Sequence, residues 1–430
     1  MARACQAPFK QLVAAMPRRR TARAGEVGIA FQRNLVVSQA LTNRGHMMKK
    51  TLIALAALGA LTSVAQAQSS VALYGLLDSG VRHDSAGPKG SAGNTGTQNL
   101  FTSGILNTSR FGFRGTEDLG GGMKANFNLE SGINAGTGAG SSTSNIFDRR
   151  AVLGMEDSWG RVDIGRNTTF AYDLQAGYVN DPLGQELTTN RQNAAVSATS
   201  VNPLGTLVGS ALDTSRRDNM VKYLSPKLAG TNLGLAYSFG NVSGSTAANS
   251  SVQFMAKYDV RPLQLGLSYD RLRDTAGRKQ TLLTTGGNYI FEGYKVTGGY
   301  TQMQADAGFV NSNTSILTNS GSSTSLYKFL AGASASTTGL KAAVFDLGVG
   351  FNATPLTQVV VAYYNTKYSA DGLSSNRYDT FAARARYTLS KRTDLYAAID
   401  YTKAKGMTAA QTASGTTSNT GLSVGIQHRF

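Results

Sequence analysis

The last ten residues of the chain read Gly421-Leu422-Ser423-Val424-Gly425-Ile426-Gln427-His428-Arg429-Phe430. Apolar side chains occupy every second position from Leu422 to Ile426, and the positions between them are small or polar. Because successive side chains of a β-strand point to opposite faces, this alternation predicts a strand with one apolar face and one polar face.

The same alternation recurs along residues 262–273 and 376–389. In the second stretch Arg384 and Arg386 fall on the polar face. Two arginines are easily hydrated in a water-filled channel, whereas an unpaired charge in a dry core costs several kcal/mol. We therefore expect both arginines to face an aqueous lumen, while the apolar face, which often ends in Tyr or Phe, suits lipid and its aromatic girdle.

Turn signals of two lengths separate the alternating stretches. Short ones such as 225–227 alternate with long polar stretches such as 168–214 and 304–341, as in barrels with tight turns at one end and long loops at the other. An apolar run at 326–331 leaves the strand assignment within 304–341 open. Seven short turns and eight long loops predict an all-β fold, a transmembrane antiparallel up-and-down β-barrel of about sixteen strands, which must close because lipid cannot satisfy a free strand edge. We place the strands at 69–83, 107–116, 122–134, 147–157, 159–167, 215–225, 231–240, 250–260, 262–273, 280–290, 294–303, 342–353, 356–368, 376–389, 393–405 and 420–430.

The one stretch that could insert as a helix lies near the N-terminus. Met48-Lys49-Lys50 precedes a short apolar run at 52–61, and Ala65-Gln66-Ala67 follows it. The run is too short for a membrane anchor, and its flanks predict a secretory signal peptide at 47–67 that is cleaved before Gln68. We interpret residues 1–46 as a non-native leader and expect Met47 or Met48 to be the start, which leaves 68–430 as one barrel domain.

The composition of the mature part argues against enzymatic chemistry. Its only histidines are His83 and His428, and the one cysteine of the chain, Cys5, lies in the leader. Thiolate metal sites, disulfides and cysteine nucleophiles are therefore excluded, and we predict no enzyme, no cofactor and no metal. Residues 1–67 hold ten of the 42 Lys and Arg and one of the 25 Asp and Glu, so the formal charge of the mature part is +8 rather than +17. We expect no nucleic-acid partner.

Six fragments, in this order, resemble the trimeric general porins of Gram-negative outer membranes, in particular the β-proteobacterial branch. They are SVALYGLLD at 70–78, SRFGFRGTEDLGGG at 109–122, RRAVLG at 149–154, GRVDIGR at 160–166, RRDNMVKY at 216–223 and SKRTDLY at 390–396. The resemblance covers nearly all of 68–430. It implies export to the cell outer membrane, contact with its lipid and lipopolysaccharide, a homotrimer, and a terminal aromatic, Phe430, that the barrel-assembly machinery recognises.

The resemblance also implies that the third loop, 168–214, folds inward and narrows the lumen, which in a barrel of sixteen strands is too wide for side chains to fill. Strand parity places Arg110 and Arg114 toward the lumen when Phe111 and Phe113 face lipid, and the same argument places Arg216 and Lys222 there. The basic wall of the family is similar to Arg110, Arg216 and one of Arg149 and Arg150, and the alternation leaves open which of these two points inward. The acids that oppose this basic wall across the pore would come from the third loop, where Asp173, Asp181, Glu186 and Asp213 are available. Tyr74 and Asp78 should also face the lumen.

The expected function is passive diffusion of small hydrophilic solutes and ions through a water-filled pore. The arginine-rich wall and the net charge of +8 predict weak anion selectivity. A substrate-specific outer-membrane channel is the alternative, and an adhesin barrel is a further one. The sequence does not identify the physiological solutes or decide whether the loops bind calcium.

Overall fold

The computed structural model describes residues 70–86, 97–142, 145–184, 186–187, 215–309, 339–372, 375–406 and 417–430. The predicted leader, the signal peptide and its cleavage position lie outside these residues, and so do Asp213 and the apolar run at 326–331. No helix in the described ranges is long and apolar enough to cross a membrane.

Almost all of the described chain is β-strand. The strands are β1 (Ser70–Asp84), β2 (Gln98–Ser103), β3 (Arg110–Gly120), β4 (Met123–Gly132), β5 (Arg150–Asp157), β6 (Gly160–Thr168), β7 (Arg216–Leu224), β8 (Thr231–Ser238), β9 (Ser251–Val260), β10 (Leu263–Arg273), β11 (Lys279–Phe291), β12 (Tyr294–Ala305), β13 (Leu340–Thr354), β14 (Thr357–Ala370), β15 (Asn376–Thr388), β16 (Thr393–Lys405) and β17 (Ser418–Arg429). One helix, α1 (Phe170–Ala176), follows β6.

The strands form one closed antiparallel sheet. Each strand from β3 onward pairs with the next, and β1 pairs with β17 through the register Leu76 with Arg429 to Asp84 with Gly421. On its other edge β1 pairs with both β2 and β3, which lie end to end. The ring therefore has sixteen strand positions, which confirms the predicted barrel.

The two faces of the sheet differ as the alternation predicts. Outward side chains on β17 are exposed, with Leu422 at 49% and Val424 at 53%, whereas the inward Ser423 and Gln427 are buried. Arg384 on β15 points inward and is 1% exposed. The apolar face is thus on the outside of the barrel, where a hydrocarbon environment compensates for its exposure.

The second strand position differs from the sequence prediction, which placed a strand at 107–116 after a loop at 84–106. Residues 98–103 pair with the second half of β1, and residues 110–116 pair with its first half. Between them an inward segment, residues 104–109, leaves the ladder. The carboxylate of Asp78 accepts the backbone N–H groups of Ile105, Leu106 and Asn107 at 2.9, 3.2 and 3.1 Å, so these three donors are satisfied although they have left the ladder.

The connections also depart from strict alternation of short and long. The short connections after β3, β5, β7, β9, β11, β13 and β15 match the seven predicted short turns, but the connections after β10 and β14, at the opposite end, have only five residues each. Long connections at that end follow β1, β4, β6, β8, β12 and β16. The longest of them, residues 169–215, is called loop 3 below.

Candidate functional site

Loop 3 starts with a helix that lies against the inner wall. Thr169 caps α1, because its side chain accepts the backbone N–H of Tyr172 at 3.3 Å. Phe170 and Leu174 are buried and pack with Met220 and Met255 on β7 and β9. The helix is therefore fixed inside the barrel instead of projecting from its rim.

Beyond the helix, loop 3 crosses a part of the wall that lacks side chains. Asn180 lies against Gly286 and Gly299, and Pro182 lies against Gly348. A Cβ atom at Gly299 would meet the carbonyl oxygen of Asn180 at 2.3 Å, and one at Gly348 would meet Pro182 at 2.5 Å. We call these three glycines the glycine recess, since only their missing side chains let the loop lie this close to the wall.

Two acids of loop 3 attach its described end to the barrel. Glu186 is fully buried and pairs with Arg384 Nε at 2.9 Å and with Arg386. The sequence predicted that both arginines face water in the lumen, but Arg384 is only 1% exposed and meets the Glu186 carboxylate instead. Asp181, also buried, accepts the hydroxyl of Tyr364 at 2.9 Å. These placements differ from the sequence prediction of acids facing a basic wall across the pore, because the loop turns both carboxylates toward the sheet that supports it.

A cavity of about 500 Å³ lies along the inner faces of β1, β3, β5 and β7. Tyr74 of β1, Glu130 of β4 and Tyr172 of α1 contribute to its lining. The arginines that the sequence analysis assigned to the basic wall also line it, namely Arg110, Arg114, Arg149, Arg150 and Arg216. The alternation left open which of Arg149 and Arg150 points inward, and both line this cavity. Arg150 is the first residue of β5, and Arg149 directly precedes the strand.

Three of these arginines, Arg110, Arg149 and Arg216, form what we call the arginine cluster. Glu130 accepts Arg149 Nε at 2.6 Å and lies 3.6 Å from Arg110 Nε, and Tyr74 donates its hydroxyl to the same carboxylate at 2.9 Å. Arg216 Nε donates to the carbonyl oxygen of Arg149 at 3.0 Å. Three guanidinium groups around one carboxylate leave this cluster with a net charge of +2.

Tyr172 lies in the middle of the cluster. The guanidinium carbon of Arg216 is 5.0 Å from the centre of its ring, and Arg110 and Arg149 line the same cavity. Burial raises the pKa of Tyr172, but the positive charges of Arg216, Arg149 and Arg110 outweigh burial and lower the pKa from its usual 10 to about 8.

The third predicted loop acid, Asp173, follows Tyr172 on α1 and belongs to a neighbouring cavity of about 350 Å³ that Arg150 and Lys222 also line. Its carboxylate accepts Lys222 Nζ at 2.5 Å and the hydroxyl of Thr168 at 2.7 Å. Burial opposes ionisation, but the charge of Lys222 holds the pKa of Asp173 below its usual value. This acid therefore neutralises a lysine of the wall.

Of the other predicted residues, Asp78 points inward but is fully buried beneath the inward segment, so it does not reach the pore water. Phe430 lies at the closure of the barrel. Its backbone N–H and C=O both bond Gly75 of β1 at 3.1 Å, and its ring covers that glycine.

Two residues of the cavity, Glu130 and Tyr172, were not predicted. Glu130 lies on the same face of β4 as Asn126 and Asn128, so strand parity alone could have found it. Nothing in the sequence signals Tyr172, because its position follows from how loop 3 folds.

Comparison with known proteins gives a consistent result. Residues 54–407 match the family model described as Gram-negative porin. The chain is 31% identical to an outer membrane porin protein of Bordetella pertussis, over 89% of this chain and 100% of that protein, and 31% identical to outer membrane porin protein 32 of Delftia acidovorans with the same coverage.

Among solved structures, an anion-selective porin from Comamonas acidovorans superposes with a TM-score of 0.60 at 24% identity, covering 84% of this chain and 100% of that one. The outer membrane channel DcaP of Acinetobacter baumannii superposes with a TM-score of 0.55 at 16% identity, covering 85% and 99%. Both share the barrel fold. The chain therefore belongs to the Gram-negative porin family and is a general porin of the outer membrane.

Proposed function

We propose that this porin passes small hydrophilic solutes and ions with a preference for anions, and that it does so as a homotrimer. The observation that carries the anion preference is the lining of the larger cavity. The five arginines of the basic wall face one acidic side chain, Glu130, among the described residues of that lining, and the sixth arginine there, Arg429, is paired with Asp394 at 2.7 Å. Fixed positive charge along a narrow aqueous path concentrates anions and repels cations.

The acids of loop 3 support this proposal by their positions. Glu186 and Asp181 are buried against the wall, and Asp173 is paired with Lys222, so these carboxylates offset little of the positive charge in the larger cavity. The field in this cavity is therefore dominated by guanidinium groups. The side chains act on passing ions through their charge, and transport requires no chemical step.

Planar bilayer recordings test the proposal. In a potassium chloride gradient we expect stepwise conductance and a reversal potential of the sign that chloride permeation gives. Arg216→Gln should reduce the preference, whereas Arg278→Gln removes an equal charge from a partly exposed arginine that pairs with Asp274 on the short connection after β10 and should leave it unchanged. A reversal potential of the opposite sign in the unmodified protein contradicts the anion preference.

The trimer and the route of assembly follow from membership of the family and need their own measurements. We expect a native species of three chains by mass measurement in detergent, with outer-membrane lipid and lipopolysaccharide around it. We also expect Phe430→Ala to slow insertion by the barrel-assembly machinery, because this residue closes β17 onto β1. Unchanged insertion kinetics would argue that Phe430 has a structural role alone.

A further inference from the structure

Tyr172 brings a titratable side chain into the larger cavity. The cap on α1 holds its backbone, the Arg216 guanidinium lies over its ring, and Arg110 and Arg149 line the same cavity. The phenol is therefore held at a fixed position in the arginine cluster. A charge that develops on its oxygen acts directly on the ions that pass.

We propose that Tyr172 determines how strongly this pore prefers anions, and that ionisation of its phenol weakens the preference. The proposal rests on the anion preference proposed above. A neutral phenol leaves the arginine cluster with a net charge of +2, and a phenolate reduces it to +1. One proton thus changes half of the net charge of the arginine cluster.

Other charged groups face Tyr172 from the surrounding elements, and four of them form two ion pairs. Asp173, the next residue on the helix, binds Lys222, and Arg166 of β6 binds Asp218 of β7 at 2.5 Å. The remaining groups from the adjacent strands are Tyr74 of β1, Arg110 and Arg114 of β3, Glu130 of β4, Arg149 and Arg150 at the start of β5, and Arg216 of β7. Positive charge is in excess in this set, which favours the phenolate and agrees with the pKa of about 8 for Tyr172.

The test is the reversal potential of the full-length porin in a potassium chloride gradient at about pH 7 and about pH 9.5, on either side of that pKa. One unit charge about 7 Å from an ion in water changes the local anion concentration about threefold, before screening by salt. We therefore expect the permeability ratio of chloride to potassium to fall by about threefold more in the unmodified porin than in Tyr172→Phe.

Tyr178→Phe is the matched control. Tyr178 also belongs to loop 3, but it donates to Glu186 on the other side of the loop, and burial together with the Glu186 charge raises its pKa. This variant should keep the pH response of the unmodified porin. A direct readout is the tyrosinate absorbance of the unmodified porin, in which one of the 18 tyrosines should ionise near pH 8.

The possible outcomes separate the two proposals. A permeability ratio that does not change with pH, or the same change in Tyr172→Phe, overturns the role of Tyr172 while the anion preference stands. Cation preference at pH 7 overturns the anion preference itself. Should Tyr172→Phe fail to fold, the absorbance titration decides, because a spectrum in which no tyrosine ionises near pH 8 also overturns the role of Tyr172.

Discussion

Replacing Glu186 by Gln tests whether ion pairs hold loop 3 against the wall. The Glu186 carboxylate is fully buried, pairs with Arg384 and Arg386, and accepts the hydroxyl of Tyr178 at 2.8 Å. Gln keeps the size of the side chain but removes the charge, so two guanidinium groups lose their counter-charge, and one of them, Arg384, is 1% exposed. Removing one partner of a buried pair typically costs about 3–5 kcal/mol.

We expect the free energy of unfolding, measured by urea titration of the refolded porin, to fall by about 3 kcal/mol in Glu186→Gln. Glu156→Gln is the control, because Glu156 lies 3.9 Å from Arg161 and both side chains are more than a third exposed. The free energy of unfolding should therefore change by only about 0–1 kcal/mol in this variant. Single-channel currents should show larger open-state fluctuations in Glu186→Gln alone. Equal losses of unfolding free energy in the two variants would refute the reasoning that the contact of Glu186 with Arg384 and Arg386 excludes water.

Three further predictions concern the closure of the barrel, the glycine recess and the N-terminus. Arg82→Gln should destabilise barrel closure by about 3–5 kcal/mol, because Arg82 is buried and pairs with Asp400 at 2.6 Å; a loss below about 1 kcal/mol in urea unfolding would contradict this. Gly348→Val should push loop 3 into the lumen and lower single-channel conductance, whereas Gly298→Val, where a Cβ meets nothing closer than 3.5 Å, should leave conductance unchanged. The mass of the exported protein should place its N-terminus at Gln68, and a larger mass would contradict the predicted cleavage position.

The strands of this porin could be predicted from sequence because one physical constraint repeats along the chain. Lipid on one side and water on the other impose a period of two on every membrane strand, so β10 and β15 were placed to within one or two residues. The constraint says nothing about where a strand is interrupted. The inward segment exists because Asp78 accepts three backbone N–H groups about 30 residues along the chain, and no local pattern encodes that contact.

The residues of the candidate site likewise include some that could be predicted from the sequence and some that could not. Arg110 and Arg216 could be assigned by strand parity, which depends only on neighbouring residues. The destinations of Asp181 and Glu186 could not, because Tyr364 and Arg384 are nearly 200 residues further along the chain. Loop 3 has no periodic pattern that would indicate its path, so its acids could be recognised as important but not placed.

The position of Asp78 has a consequence for how this barrel forms. Besides the inward segment, its carboxylate accepts the hydroxyl of Tyr396 on β16 at 2.7 Å and the side-chain amide of Gln427 on β17 at 2.9 Å. The first strand and the last two strands thus share one carboxylate, and the two side-chain donors from β16 and β17 reach it only when the two ends of the sheet meet. A barrel in which these ends have only partly paired would bury the carboxylate without these two donors, which makes such an intermediate costly. The final step of folding should therefore be cooperative, with the ends of the sheet either apart and hydrated or joined completely.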